Sequence, residues 1–594
     1  MKITLLILSL LLGSCSFIYG HDFTQYVNPF IGTGAVDQYS HAGNNFPGAT
    51  LPFGFVQLSP DNKDYPDNPC SGYDYNNKTI VGFSHTHLSG TGVEDLFDVM
   101  LMPAIGDIKQ ANTNPENAPS GYSSNITHDQ EKAKPGYYQV NLLDYKINVE
   151  LTATEHAGFH RYTFPKSSES HILIDMNHSI PKTIDWLPCR MIAQIKIIDS
   201  VTVEGYRITT GWVKGYRRVY FRAEFSKPFK SFAMINGTEK IASQQLANGE
   251  CVKTLLDFNT AEGEQIFVKV GLSATSNENA HLNLRTELPG WDFDKTCREA
   301  ENKWENELRK IMVKGTKEQM EIFYTAMYHA FTQPNNIADV NGDYPATDMT
   351  TKNAPDKQHY STFSLWDTYR AAHPLYALIQ QERTASFVNS MIRQKKTFGF
   401  LPIWQLWGLE NYCMIGNHAI PVIVDAVNKN IQGIDIEEAY EAVKASSLVD
   451  HPYSPFTVWE KFGYIPEDIL SQSVSITLEM AFDDWCVAQF AKKLGKTDDY
   501  IRFIKRANFY KNLYDKQTNF FRAKDKNGNW LSPFNPFKYG DNGNSPYTEA
   551  NAWQYLFHVP QDVNGLIGLM GGPNAFIAKL DSFFSITAGM SEKN

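Results

Sequence analysis

The stretch "SVSITLEMAFDDWCVAQFAKKLG", Ser473–Gly495, sets the character of the second half of the chain. Val474, Leu478, Ala481, Trp485 and Ala488 recur at 4-3-4-3 spacing, which lines one face of a helix. Lys492-Lys493 and then Gly495 give it a basic last turn and a stop. Similar patterns predict helices over Glu318–Phe331, Arg383–Gln394, Pro421–Asn430 and Tyr500–Leu513. Upstream, from about Tyr137 to Leu272, the period is two. Ile147, Val149 and Leu151 alternate with Lys146, Asn148 and Glu150, and Val219 to Phe225 and Ile266 to Leu272 repeat the pattern. Asn236-Gly237 and Asn248-Gly249 supply turns between strands. The period changes after Pro289. The expected fold is mixed β and α: an N-terminal antiparallel β-sandwich followed by helices in series, as in an α/α toroid.

At 594 residues the chain exceeds one ordinary core. A net charge of −11 spread along the chain without long single-sign runs argues against a nucleic-acid partner. An aromatic content of 13% suits a neutral ligand such as a carbohydrate. Met1-Lys2 followed by "ITLLILSLLLG" is too short to span a bilayer and reads as a signal peptide over residues 1–20. The mature protein is therefore expected outside the cytoplasm, in the periplasm, at the cell surface or beyond. "LLGSC" resembles a bacterial lipoprotein box and would confine membrane association to a lipid on Cys15; ordinary cleavage near Gly20 is the alternative. The remaining cysteines are dispersed, without a CxxC pair, and read as buried thiols rather than a disulfide framework.

Five polar segments, three of them carrying glycines, interrupt these patterns: His41–Pro60, Gly82–Asp98, Ser361–Pro374, Leu401–Pro421 and "SPYTEANAWQY" from Ser545. The last places Glu549 among aromatics and amides at the opening turn of a helix, the composition of a sugar site with a general acid. Glycoside chemistry normally needs a second carboxylate across the bond. His85 and His87, at i and i+2, would share a face if extended, but a zinc site needs a third ligand. A hydrogen-bonded loop pair lining a pocket is the favoured reading, and no metal ligand is assigned. Taken singly, Asp367 and Arg370 read first as an i, i+3 ion pair and only second as site residues beside Trp366, and Trp404, Trp407 and Glu410 first as core aromatics with a surface acid and second as cleft. Taken together with Trp553, they describe a sugar cleft in which rings stack on apolar sugar faces and carboxylates hold hydroxyls. Glu549, Trp366, Asp367 and at least one of His85 and His87 are expected to converge there.

In order along the chain, "VNPFIGTG", "FPGATLPFG", "GFSHTHLSGTG", "LWDTYR", "CMIGNHAIPVIVDA", the Ser473 helix and "TEANAWQYLFHVPQDVNGLIGLMGG" resemble glycoside hydrolase family 92. That family comprises calcium-dependent, inverting exo-α-mannosidases, and the resemblance runs from about Tyr26 to Phe584. It implies a sandwich over 21–285, a helical linker over 286–315 and an (α/α)6-type barrel over 316–594 that is incomplete at its C-terminal end. It also implies mannose-containing glycans as partners, Ca2+ as cofactor, Glu549 as general acid and Asp367 in the mannose subsite. Ala550 stands where the family has glycine, a mild change unless that backbone needs a positive φ. Gln561 replaces a usual histidine before Asp562.

The segments that carry the family's general base and part of its calcium site do not occur in this sequence. The resemblance thus implies a truncated α-mannosidase of at most trace activity, with an uncovered apolar helix face near Phe323–Phe331 or Phe576–Phe584. The competing readings are a non-catalytic cell-surface glycan-binding protein and another α/α-toroid glycosidase. In the latter, Asp367, Glu410 or Asp562 would be the second carboxylate.

Overall fold

Alternation in the sequence builds what it predicts: in the strand Arg217–Phe225 every second side chain is buried. In the computed structural model, Arg217–Phe225 belongs to one of two nine-stranded antiparallel sheets. The structure describes residues 22–586 apart from 35–42, 63–69, 94, 109–120, 179–190, 214, 238, 242–243 and 541–542. The leader and Cys15, and with them the signal-peptide and lipid-anchor expectations, lie outside the described residues. Among the described residues no helix is long and apolar enough to cross a membrane.

The sheet that holds Arg217–Phe225 also pairs Glu264–Ser273 with Ala157–Phe164, and that strand with Ile147–Ala153. The opposing sheet is built from Gln57–Asn62, Thr79–Ser84, Met100–Ile105, Ser167–Asp175 and Val252–Thr260, with shorter edge strands. Both inner faces contribute to one hydrophobic core, which holds Leu58, Phe83 and Leu101 together with Val149, Phe221 and Val268. The first three strands of the opposing sheet escape the period-two reading for a physical reason. Every residue of Gln57–Asn62 is buried, so no polar face alternates with an apolar one.

Helical structure begins earlier than the sequence suggests. Ser276 caps Asn277–Glu287 by accepting from the Asn279 amide. This polar helix lies on the strand Glu264–Ser273, and Gly271 allows the approach: a Cβ there would meet the Ala280 carbonyl at 2.5 Å. Phe293–Leu308 follows and ties the halves together through Trp304, whose Nε1 donates to the Thr50 carbonyl at 2.7 Å. The helix Ser473–Lys493 does not present one apolar stripe. It is buried on nearly all sides, including the carboxylates of Glu479, Asp483 and Asp484. By contrast Pro573–Ser585 has no buried residue and leaves Phe584 80% exposed.

His156 clamps the sandwich to the helical half. Its Nδ1 donates to Glu287 at 2.6 Å and its Nε2 to the Ala338 carbonyl at 2.7 Å. Burial alone would depress this imidazole, but the Glu287 carboxylate outweighs it and raises the pKa from 6.5 to about 10. Glu155, His156 and Glu287 stand close enough to hold a metal ion. An imidazole that spends both nitrogens as donors has no lone pair to offer one.

Because the folded state binds this proton more tightly, His156 contributes its full stabilisation below pH 6.5 and loses it as pH rises through about 10. Thermal midpoints of the protein and of His156→Gln should therefore differ most near pH 6 and converge by pH 10. A gap that stays constant across that range would show that the clamp is not protonated.

Candidate active site

Glu549 is held by its loop rather than by a helix. It stands two residues before Asn551, which caps the short helix Ala552–Tyr555 in a capping box with Gln554. Its backbone is left-handed, with φ +45°, whereas Ala550 is not among the residues of positive φ. The glycine that the resemblance leads one to expect at 550 is thus not required by the backbone. The loop hangs on the start of the Ser473 helix: the Thr548 amide donates to Ser475 Oγ at 3.0 Å and its hydroxyl to Gln472 Oε1 at 2.6 Å.

Trp366 and Asp367 sit on the single turn Leu365–Thr368. Asp367 is exposed and accepts from the Ser364 hydroxyl. Arg370 does not pair with Asp367. It reaches Glu479 at 3.1 Å instead, and the same buried carboxylate accepts from Trp366 Nε1 at 3.3 Å and the Tyr369 hydroxyl at 3.1 Å. His558 Nε2 approaches it at 2.8 Å and His418 Nε2 at 3.2 Å. Arg370 Nη1 also meets His558 Nδ1 at 3.2 Å, and since arginine can only donate, the His558 proton belongs on Nε2, facing Glu479. Burial would raise the Glu479 pKa, but His558 and His418 together hold it well below the usual carboxylate range. In turn, burial would depress His418, and Asp483 and Glu479 override this to lift it to about 9.

These groups surround two adjoining cavities, of about 330 Å3 and about 1110 Å3. Trp366, Asp367, Thr548 and Glu549 form the wall between them, since they line both. Arg370, Ala550, Gln554, Tyr555 and His558 complete the smaller cavity. Trp404 and the sandwich loop Ser89–Val93 line the larger one. Cys413 lines it too, its thiol pushed up to about 12 by burial and then by Asp367 and Glu549. That leaves it protonated and a poor nucleophile.

Other candidates lie elsewhere. His85 and His87 are fully buried inside the sandwich and do not line either cavity. His85 Nδ1 donates to the Val99 carbonyl at 2.6 Å, and His87 Nε2 lies 2.7 Å from Asp61. The glycines that follow them, not the histidines, reach the cleft. Glu410 is buried with its carboxylate filled by the amides of Ile403, Trp404 and Tyr412, which makes it a structural acid. Trp407 packs on Phe55 in the sandwich core. Trp553 packs against Phe520 and Lys579 and does not line either cavity. Asp562 caps Val563–Leu569 and is bound by Tyr510. Sequence reading missed Glu479. The signal was present, for three carboxylates at i, i+4 and i+5 in an apolar helix cannot all be solvated and must find partners.

Residues 26–273 match the glycosyl hydrolase family 92 N-terminal domain and residues 279–594 the family 92 catalytic domain. A family 92 alpha-mannosidase from Bacteroides thetaiotaomicron is 38% identical, with a TM-score of 0.90 over 96% of this chain and 75% of its own. It has also been solved with mannoimidazole, and that structure superposes with a TM-score of 0.89. An inverting family 92 mannosidase from the same organism is 29% identical, with a TM-score of 0.84 over 94% of this chain and 74% of its own. An uncharacterised secreted glycosidase of Arthroderma benhamiae is 27% identical across 97% of this chain and 76% of its own length.

Removing the charge of Glu479 while keeping its shape tests the arrangement. Glu479→Gln removes one of the two anions that hold buried His418, leaves half-exposed Arg370 without its partner, and should lower stability by about 3 kcal/mol in denaturant unfolding. The imidazole of His418, followed by NMR, should titrate well below its present value of about 9. A variant of unchanged stability with His418 still titrating near 9 would show that Asp483 alone holds that histidine.

Proposed function

The chain belongs to glycosyl hydrolase family 92, and we propose that it removes terminal α-linked mannose from glycans by inverting hydrolysis, with Glu549 as the general acid. The observation that carries this reading is the wall shared by the two cavities, where Glu549 and Asp367 stand beside Trp366. Two relatives named as mannosidases, one of them bound to mannoimidazole, support mannose as the sugar. Export from the cytoplasm is proposed from the leader, and the relative from Arthroderma benhamiae is named as secreted.

In a single displacement Glu549 passes its proton to the departing glycosidic oxygen while water attacks the anomeric carbon from the opposite face as the C–O bond to the leaving group breaks, and the proton lost by that water passes to bulk solvent. Such acid–base pairs are separated by roughly 6.5–9.5 Å to admit the water. Asp367 is assigned to the mannose hydroxyls by resemblance, and its Ser364 bond fixes the carboxylate for that task. Among the described residues lining the cavities, Asp367 is the carboxylate that accompanies Glu549, so we infer slow turnover by this chain. Calcium is proposed on resemblance alone. It takes six to eight oxygens, and the two lining carboxylates do not make a site for it by themselves; no step here is routed through it.

Mannose release from α-mannobiose should be measurable at a low rate and should fall a further 10²–10⁴-fold, roughly, in Glu549→Gln. An activated aryl α-mannoside, whose leaving group needs little protonation, should lose much less. Equal loss on both substrates would reduce Glu549 to a binding residue. Rapid cleavage of α-mannobiose would instead make Asp367 the group that activates water.

A further inference from the structure

The larger cavity reaches from Glu549 and Asp367 to a residue that the sequence did not single out, Trp212 of the sandwich. Trp212 is half-buried and stands edge-on to Trp404 from the helical half, with ring centroids 4.3 Å apart at 63°. Trp404 is only 3% exposed, so of this aromatic pair it is Trp212 that offers ring surface to the cavity.

The placement of Trp212 is built. Its amide donates to Asp95 Oδ2 at 3.1 Å, and the same carboxylate packs so closely on Gly211 that a Cβ there would meet it at 2.7 Å. Asp95 Oδ1 accepts from the Leu96 amide at 2.7 Å and from Arg217 at 3.3 Å. Arg217 also holds buried Asp98, which Arg207 approaches at 3.4 Å. Two buried carboxylates and two buried guanidinium groups are poor investments for stability alone. Their effect is to fix the turn that carries Trp212, while Asn44 and Asn45 hold the loop, Ser89–Val93, that forms the adjacent wall.

A fixed aromatic surface beside a sugar site stacks on the apolar face of a pyranose. At about 1110 Å3 the cavity exceeds the 300–1,000 Å3 typical of small-molecule pockets, so it has room for more than one hexose. Among its described lining residues there is no lysine or arginine to favour phosphate or carboxylate. We propose that Trp212 is the sandwich-borne stacking surface for a second, neutral sugar of the substrate, the one beyond the terminal mannose. The assignment rests on the mannoside reading above and names a residue that makes the site prefer an oligosaccharide to a lone sugar.

Calorimetric binding to Glu549→Gln protein, in which hydrolysis does not interfere, separates the two ideas. α-Mannobiose should bind roughly tenfold more tightly than methyl α-mannoside, the size of one good aromatic contact. Adding Trp212→Ala should erase that advantage while leaving methyl α-mannoside within about twofold, and Trp212→Phe, which keeps a ring, should retain part of it. Thermal midpoints checked alongside identify a variant that has lost its fold, and the phenylalanine variant then carries the comparison. An advantage that survives Trp212→Ala in folded protein overturns the proposal. So does parallel loss of both sugars in a folded variant, or methyl α-mannoside binding as well as mannobiose before Trp212 is touched. Tighter binding of a phosphorylated mannobiose than of the neutral one overturns the neutral class. Failure of the Glu549→Gln protein to bind either sugar overturns the mannoside reading itself, and this assignment with it.

Discussion

One buried negative charge organises the candidate site. Glu479 lies in the middle of the protein, and an isolated carboxylate there would be strongly disfavoured and would take up a proton. Three hydrogen-bond donors from the Trp366–Arg370 segment and two histidines keep it ionised. The consequence runs in the other direction too, because each donor is immobilised by the carboxylate it satisfies. Trp366, Arg370 and His558 face the cavity on one side and grip Glu479 on the other. The exposed acid Asp367 therefore stands on a turn whose neighbours cannot rotate away, which is the pre-organisation a sugar site needs.

The second constraint is that the cleft belongs to neither half alone. Trp404 and Trp407, encoded among the helices, pack in the sandwich core, while Phe53 of the sandwich side exchanges backbone hydrogen bonds with Phe331 and Asn336. His156 adds a charged tie across the same boundary. Loops of the sandwich and turns of the helical half are thus held in fixed relation without a flexible connection between them. A pocket wall assembled from both can be as rigid as one carved into a single core.

How much of this was legible in the sequence depends on which physical signal each residue leaves. Strands with one face in the core, such as Arg217–Phe225, announce themselves by alternation, whereas Gln57–Asn62 is buried on both faces and leaves none. Glu549 was legible because a carboxylate among aromatics and amides is unusual and its motif is specific. His85 and His87 misled because spacing reports which face a side chain takes, not whether that face is solvent or core. Glu479 was passed over for a related reason: a helical period assigns positions to a face, and a helix buried all round has no face to spare. Trp212 left no signal at all, since its placement follows from Asp95, which meets it only in three dimensions and is itself held by Arg217.

The backbone at Glu549 shows how such a site is fixed against local preference. A left-handed conformation at a residue bearing a Cβ is unfavourable by roughly 1–2 kcal/mol, and a glycine at the next position would not relieve it. The conformation persists because its surroundings determine it: Thr548 is bonded twice to the start of the Ser473 helix, Asn551 begins a capped helix, and the Ala550 carbonyl accepts from Gly540. Between these anchors the chain has one turn in which to reverse, and Glu549 absorbs it. Strain held this way tends to collect at functional positions, where it aims a side chain that a relaxed backbone would point elsewhere. Here it aims the carboxylate at the boundary of the two cavities, so the same helix that buries Glu479 also sets the direction of Glu549.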